Sequence, residues 1–137
     1  MAGDTTVTFP AGAFAQTVVI TYTAQPDTST GNLVGIGHFF EVTAVYSDTG
    51  QPASLQSGQT YTITVRYEEG KLGGVAEGSL GIYWWNGSAW VLEPTSAVDA
   101  ANNTVTATPD HFSRWAVLGG QQVNVYLPLV LRNYPAQ

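Results

Sequence analysis

Apolar and polar residues alternate along much of this chain. Tyr61, Ile63, Val65 and Tyr67 share one parity, while Thr60, Thr62, Thr64 and Arg66 share the other. A period of two is that of a strand with one face on a core and one in water. Runs rich in Val, Ile, Thr and aromatic residues recur at intervals of about 8 to 12 residues, punctuated by Gly, Pro, Asn and Asp, and no segment keeps a helical period. The pattern predicts strands at residues 7–10, 17–23, 36–46, 60–67, 80–85, 90–94, 104–108 and 112–118, with a weak helical turn at 68–75. The expected fold is all-β, an antiparallel sandwich of about eight strands plus a C-terminal extended strand.

Turn chemistry sharpens the reading. Asn86-Gly87 joins two aromatic runs and supplies the positive backbone angles that a tight hairpin needs. The polar stretch at residues 99–103, "DAANN", reads as a turn in which Asn tolerates the left-handed region. Gly119-Gly120 then reads as a hinge, dividing a sandwich over residues 1–118 from a tail over 119–137. In that tail Val123, Val125, Leu127, Leu129 and Leu131 occupy every odd position, an apolar stripe suited to an extended strand. Pro128 confines the strand to pairing on one side. Two placements follow: the tail docks as the last edge strand of its own sheet, or it is donated to a neighbouring chain, making the protein a self-assembling fibre subunit.

Charge narrows the partners. Only 10% of residues are charged and the formal net charge is −6, so nucleic acid is not expected; the four cations, Arg66, Lys71, Arg114 and Arg132, form no basic patch. No apolar run reaches the ~18 residues of a membrane span, and membrane insertion is not expected. Without cysteine there is no disulfide, thiol nucleophile or thiolate metal site. No cofactor and no metal is expected. The Thr-rich, Lys-poor composition suits a secreted or cell-surface bacterial protein whose export signal lies outside these residues.

Four stretches, "TVTFPAGAF" at residues 6–14, "FFEVTAVYSDTGQPA" at 39–53, "SLGIYWWNGSAWVLEP" at 79–94 and "VDAANNTVTATPDHFSRWAVLG" at 98–119, resemble the ZU-five domain. That β-sandwich occurs in ankyrins, zonula-occludens proteins, netrin receptors and a death-domain adaptor, with similar domains in bacterial extracellular proteins. The resemblance covers about residues 4–119, and its most specific parts are the Pro-x-Gly-Ala element and the closing His-Phe-Ser. The segment "VYLPLVLRN" at residues 125–133 lies outside it and resembles short segments in secreted proteins of filamentous green bacteria. In some ZU-five members the resemblance implies one self-cleavage between Phe and Ser, here Phe112-Ser113, with His111 as base and Ser113 as nucleophile. The other reading makes His111, Phe112 and Ser113 a structural bend. The function that follows is an extracellular structural or protein-interaction module without multiple turnover, with single-turnover self-cleavage as the alternative.

Remaining candidates read as structural. His38 sits mid-strand without an acidic neighbour at metal-ligand spacing, and two His without a shared motif make zinc improbable. Glu68 and Glu69, adjacent on an extended chain, point apart and read as a solvated turn. Asp48, Asp99 and Asn102 offer oxygen ligands that no calcium motif joins. Trp84, Trp85 and Trp90 suit either cross-strand packing or a sugar-stacking platform, but Trp84 and Trp85 cannot face the same core.

Overall fold

A computed structural model describes residues 4–121. The strands are β1 (Thr5–Thr8), β2 (Val18–Ala24), β3 (Val34–Tyr46), β4 (Thr62–Arg66), β5 (Gly81–Trp85), β6 (Trp90–Leu92), β7 (Ala97–Asp99), β8 (Thr104–Ala107) and β9 (Arg114–Gly119). They form two antiparallel sheets, a four-stranded one in the order β1-β4-β8-β7 and a five-stranded one in the order β2-β3-β9-β5-β6. The fold is the expected antiparallel sandwich. All eight expected strands are present and β7 is an addition. The weak helical turn shortens to a single 3-10 turn, Glu69–Lys71, and a second, Glu77–Ser79, lies beyond the expected stretch.

The core lies between the sheets. From the four-stranded sheet it takes Tyr61, Ile63, Val65, Tyr67, Val105 and Ala107, and from the five-stranded sheet Phe40, Val42, Ile82, Trp115 and Val117. The alternation at residues 60–67 therefore reports the true register, since every odd residue there is at most 2% exposed. Burying each large side chain contributes about 1.5–3 kcal/mol.

Strand β9 departs from simple alternation. Trp115 and Val117 face the core, yet Ala116 and Leu118 on the opposite face are also fully buried. A second cluster forms there around Phe39, Ala116 and Leu118, with Leu33, Tyr83 and Trp90 packed against it. Leu33 closes the β2–β3 connection, residues 25–33, which is pinned by the Trp90 indole N–H donating to Ser29 O at 3.2 Å and the Gln25 N–H donating to Phe39 O at 2.8 Å. A strand buried on both faces explains the unbroken apolar run "WAVLG".

Two turns differ in instructive ways. Strands β5 and β6 pair Trp85 with Trp90, so the connection is a four-residue loop, residues 86–89, rather than a tight Asn-Gly turn. Only Gly87 has a positive φ, 100°, and Asn86 acts through its side chain, whose Oδ1 accepts the N–H groups of Ser88 and Ala89 at 2.8 and 2.9 Å. In the 99–103 turn Asn103 does adopt the left-handed region, at φ 55°.

Gly119 and Gly120, read as a hinge from the sequence, are both tied to neighbouring segments. Gly119 belongs to β9, and the Gly120 N–H donates to Ser79 Oγ at 2.8 Å while its carbonyl accepts from the Ala76 N–H at 2.9 Å. The stripe Val123, Val125, Leu127, Leu129 and Leu131 lies outside the described residues.

A Cβ on Gly119 would stand 2.6 Å from Val75 Cγ1 and 3.0 Å from Ser79 Oγ, whereas one on Gly120 would approach nothing closer than 3.7 Å. Urea unfolding should therefore show Gly119→Ala destabilised by about 1–3 kcal/mol with an unchanged slope. Gly120→Ala should stay within about 0.5 kcal/mol of the parent; equal effects at the two positions would contradict this packing.

Candidate functional site

The His-Phe-Ser segment lies where the chain leaves one sheet and enters the other. Pro109 extends the β8 ladder, its carbonyl accepting the Tyr61 N–H at 3.1 Å, and Ser113 extends the β9 ladder, its carbonyl accepting the Val42 N–H at 3.3 Å. The crossing itself is thus residues 110–112. Its central carbonyl, that of His111, accepts the Tyr61 hydroxyl at 2.9 Å. Phe112 fills the end of the sandwich, stacked on Tyr61 with ring centroids 5.0 Å apart and on Phe14 at 6.1 Å. No residue of the crossing has a positive φ.

His111 is held from three sides. Its ring meets Trp84 edge-on with centroids 4.8 Å apart and lies 5.2 Å from Trp115. Its Nε2 stands 3.5 Å from Glu93 Oε1. Glu93 is a carboxylate only 5% exposed, and its second oxygen accepts the Thr95 hydroxyl at 2.7 Å and the Thr95 N–H at 3.2 Å. Thr95 Oγ1 in turn accepts the Thr108 N–H at 2.8 Å. This chain of polar groups joins the end of β6 to the end of β8 and satisfies a carboxylate that would be costly to bury unpaired. A shallow cleft of about 350 Å³ opens over it, lined by Thr60, Trp84, Glu93, Thr95, Asp110 and His111.

At 3.5 Å the Glu93 carboxylate stands beside Nε2 without a hydrogen bond to it and attracts a proton to that nitrogen electrostatically. Among the described residues Ser113 Oγ makes no hydrogen bond, and the residue is half-buried. Burial pushes the Tyr61 hydroxyl well above the ordinary tyrosine pKa; the Trp115 indole N–H opposes the shift and the Glu93 charge adds to it.

The expected site residues His111, Phe112 and Ser113 are thus consecutive at one corner, and the residues that organise them are Tyr61, Glu93 and Thr95. Sequence reading missed these three. Glu93 is one carboxylate beside a proline with no motif around it, and its separation of eighteen positions from His111 carries no spacing signal. His38 does have an acidic neighbour, Asp4, whose Oδ2 is 3.6 Å from its Nδ1. Glu68 is exposed and pairs with Lys71 at 3.7 Å, as a solvated turn would. Asp99 closes its own turn, with Asn102 Nδ2 donating to it at 2.8 Å, and this bond and that of the Asn102 N–H hold its carboxyl below the usual range. Among the described residues no group of three or more His, Asp or Glu is placed to hold a metal ion. Scanned against protein-family models, curated proteins and solved structures, the chain matches none.

Tyr61→Phe removes the bond to the His111 carbonyl and should lower stability by about 1–3 kcal/mol at neutral pH. In the folded protein the Tyr61 proton is retained above pH ~10, where unfolded tyrosines ionise. The stability tied to this proton is fully present below that pH and is lost as pH rises through the raised folded value. Denaturation followed from pH 8 to 12 should show the parent losing stability above about pH 10 and Tyr61→Phe losing it less steeply; parallel curves would mean that the hydroxyl is not buried in this way.

Proposed function

We propose that this domain is a structural and protein-interaction module of a bacterial extracellular or cell-surface protein, without multiple-turnover chemistry. The observation that carries the proposal is the use made of the His-Phe-Ser corner. The His111 carbonyl is tied to Tyr61, the His111 ring is enclosed by Glu93, Trp84 and Trp115, and Phe112 is locked in an aromatic stack. Each group holds the two sheets together, which is what a rigid presenting scaffold requires. Four segments resembling the ZU-five domain, a fold used in interaction modules, support the same reading, and the Thr-rich, Lys-poor composition supports the location. Assayed against ester, glycoside and peptide substrates, the folded protein should give no turnover above a heat-denatured control. Sustained turnover abolished by one point substitution would overturn the proposal.

A second reading is a single self-cleavage at Phe112-Ser113, and the Glu93–His111 pair is the observation that favours it. An imidazole protonated at Nε2, beside Glu93, would have Nδ1 as its base. Ser113 Oγ would attack the Phe112 carbonyl carbon as His111 accepts the hydroxyl proton. The Ser113 nitrogen would then leave with that proton, giving an ester that water hydrolyses to a Phe112 carboxylate and the free Ser113 hydroxyl. Catalysis would also demand donors for the developing oxyanion. Intact-mass measurement under denaturing conditions separates the two readings. The structural reading expects one mass, that of the 137-residue chain, after long incubation. Fragments 1–112 and 113–137, absent in Ser113→Ala and slowed in Glu93→Gln, would establish cleavage instead.

A further inference from the structure

On the outer face of the five-stranded sheet, two adjoining depressions of about 210 and 350 Å³ share Ser29, Trp85 and Trp90. The larger reaches the lower end of the range for small-ligand sites, roughly 300–1,000 Å³. Strands β5 and β6 split their tryptophans. Trp84 turns inward to His111, while Trp85 and Trp90 turn outward, 5.5 Å apart and inclined at 57°. Trp90 is anchored by its edge-on contact with Phe39 and its bond to Ser29 O, so the pair is a rigid surface rather than two free side chains. Both indoles keep part of their area in solvent.

Hydroxyl groups and one cation surround the indoles. Thr28, Ser29 and Arg114 complete one depression, and Ser29, Thr30 and Ser88 line the other. The ion pairs among the described residues involve His38, Lys71 and His111, and none involves Arg114. Glu41 stands opposite Arg114 in the β3–β9 ladder yet makes no ion pair with it within 4 Å. In a protein of net charge −6, a guanidinium beside two indoles and unmatched by a carboxylate is a local complement to an anion.

We propose that this groove binds a carbohydrate chain bearing carboxylate groups, a proposal that builds on the interaction-module reading by giving it a ligand class. The apolar C–H faces of pyranose rings stack on Trp85 and Trp90. Ring hydroxyls exchange hydrogen bonds with the Thr and Ser side chains, and a uronate carboxylate takes a forked bond from Arg114. A proline-rich peptide would use the indoles and offer carbonyls to the hydroxyl rim, but it brings no anion to the cation. Trp84, grouped with the other two tryptophans in sequence, has no part in the site.

Calorimetry and tryptophan fluorescence on the full chain, titrated with oligogalacturonate, its methyl ester and a cello-oligosaccharide, test this. The acidic sugar should bind, and the ester and the neutral sugar should bind at least about tenfold more weakly, the scale of one charge-assisted bond. Arg114→Gln should remove the difference between acid and ester, and Trp85→Ala should weaken all three, both variants unfolding at the parent temperature. Equal affinity for acid and ester, retention of binding in both variants, or no binding at millimolar sugar would overturn the site while leaving the module reading intact. So would a fluorescence change that follows protein concentration, which would put a second copy in the groove, or preferential binding of a proline-rich peptide. Hydrolysis of the bound oligosaccharide would overturn the non-catalytic reading and leave the groove standing.

Discussion

Tyr61 immediately precedes β4 of one sheet, yet its N–H and its hydroxyl both bond the segment that leads into β9 of the other, at Pro109 and His111. A sandwich is held mainly by non-directional burial between its faces, which sets sheet separation far better than it sets where a crossing chain must turn. Two directional bonds from one buried residue fix that turn. Phe112 is placed by the same residue, stacked against the Tyr61 ring, and His111 is delivered to the buried carboxylate of Glu93. Except for the Trp115 indole N–H, which makes no hydrogen bond of good geometry, the buried polar groups described at this corner are paired, which makes them specific determinants of geometry rather than liabilities.

Beyond the turn, the chain enters the most buried strand of the molecule. Strand β9 has β3 and β5 on its two edges and apolar clusters on both faces, so an error in its register would displace Trp115 from the core and Leu118 from beneath the β2–β3 connection together. The same connection supplies Ser29, and through it the rigidity of Trp90. The rim of tryptophan and hydroxyl groups is therefore a by-product of covering the outer face of β9, which links the scaffold to the surface that it presents.

Much of the architecture was legible because period-two alternation reports burial directly. Residues 60–67 show this most plainly. Strand β7 escaped notice because three residues, Ala97–Asp99, are too few to display a period within a polar stretch. The second cluster escaped because alternation predicts a wet face for β9, and only a connection folded over that face can bury Ala116 and Leu118. At the corner, His111, Phe112 and Ser113 stood out as a tripeptide, whereas Tyr61 and Glu93 reach them from fifty and eighteen positions away. Contacts of that kind are set by topology, and residue types alone do not announce them.

Native-state amide hydrogen exchange at Tyr61 and Val42 tests most directly whether the corner is a fixed tie between the sheets. These N–H groups donate to Pro109 and Ser113, the residues that bracket the crossing. If the tie is integral to the fold, both amides should exchange only through global unfolding, with an opening free energy equal to the stability measured by denaturant. Exchange at either amide through a local opening well below that stability would contradict the account, since the corner would then open while the sandwich stayed folded.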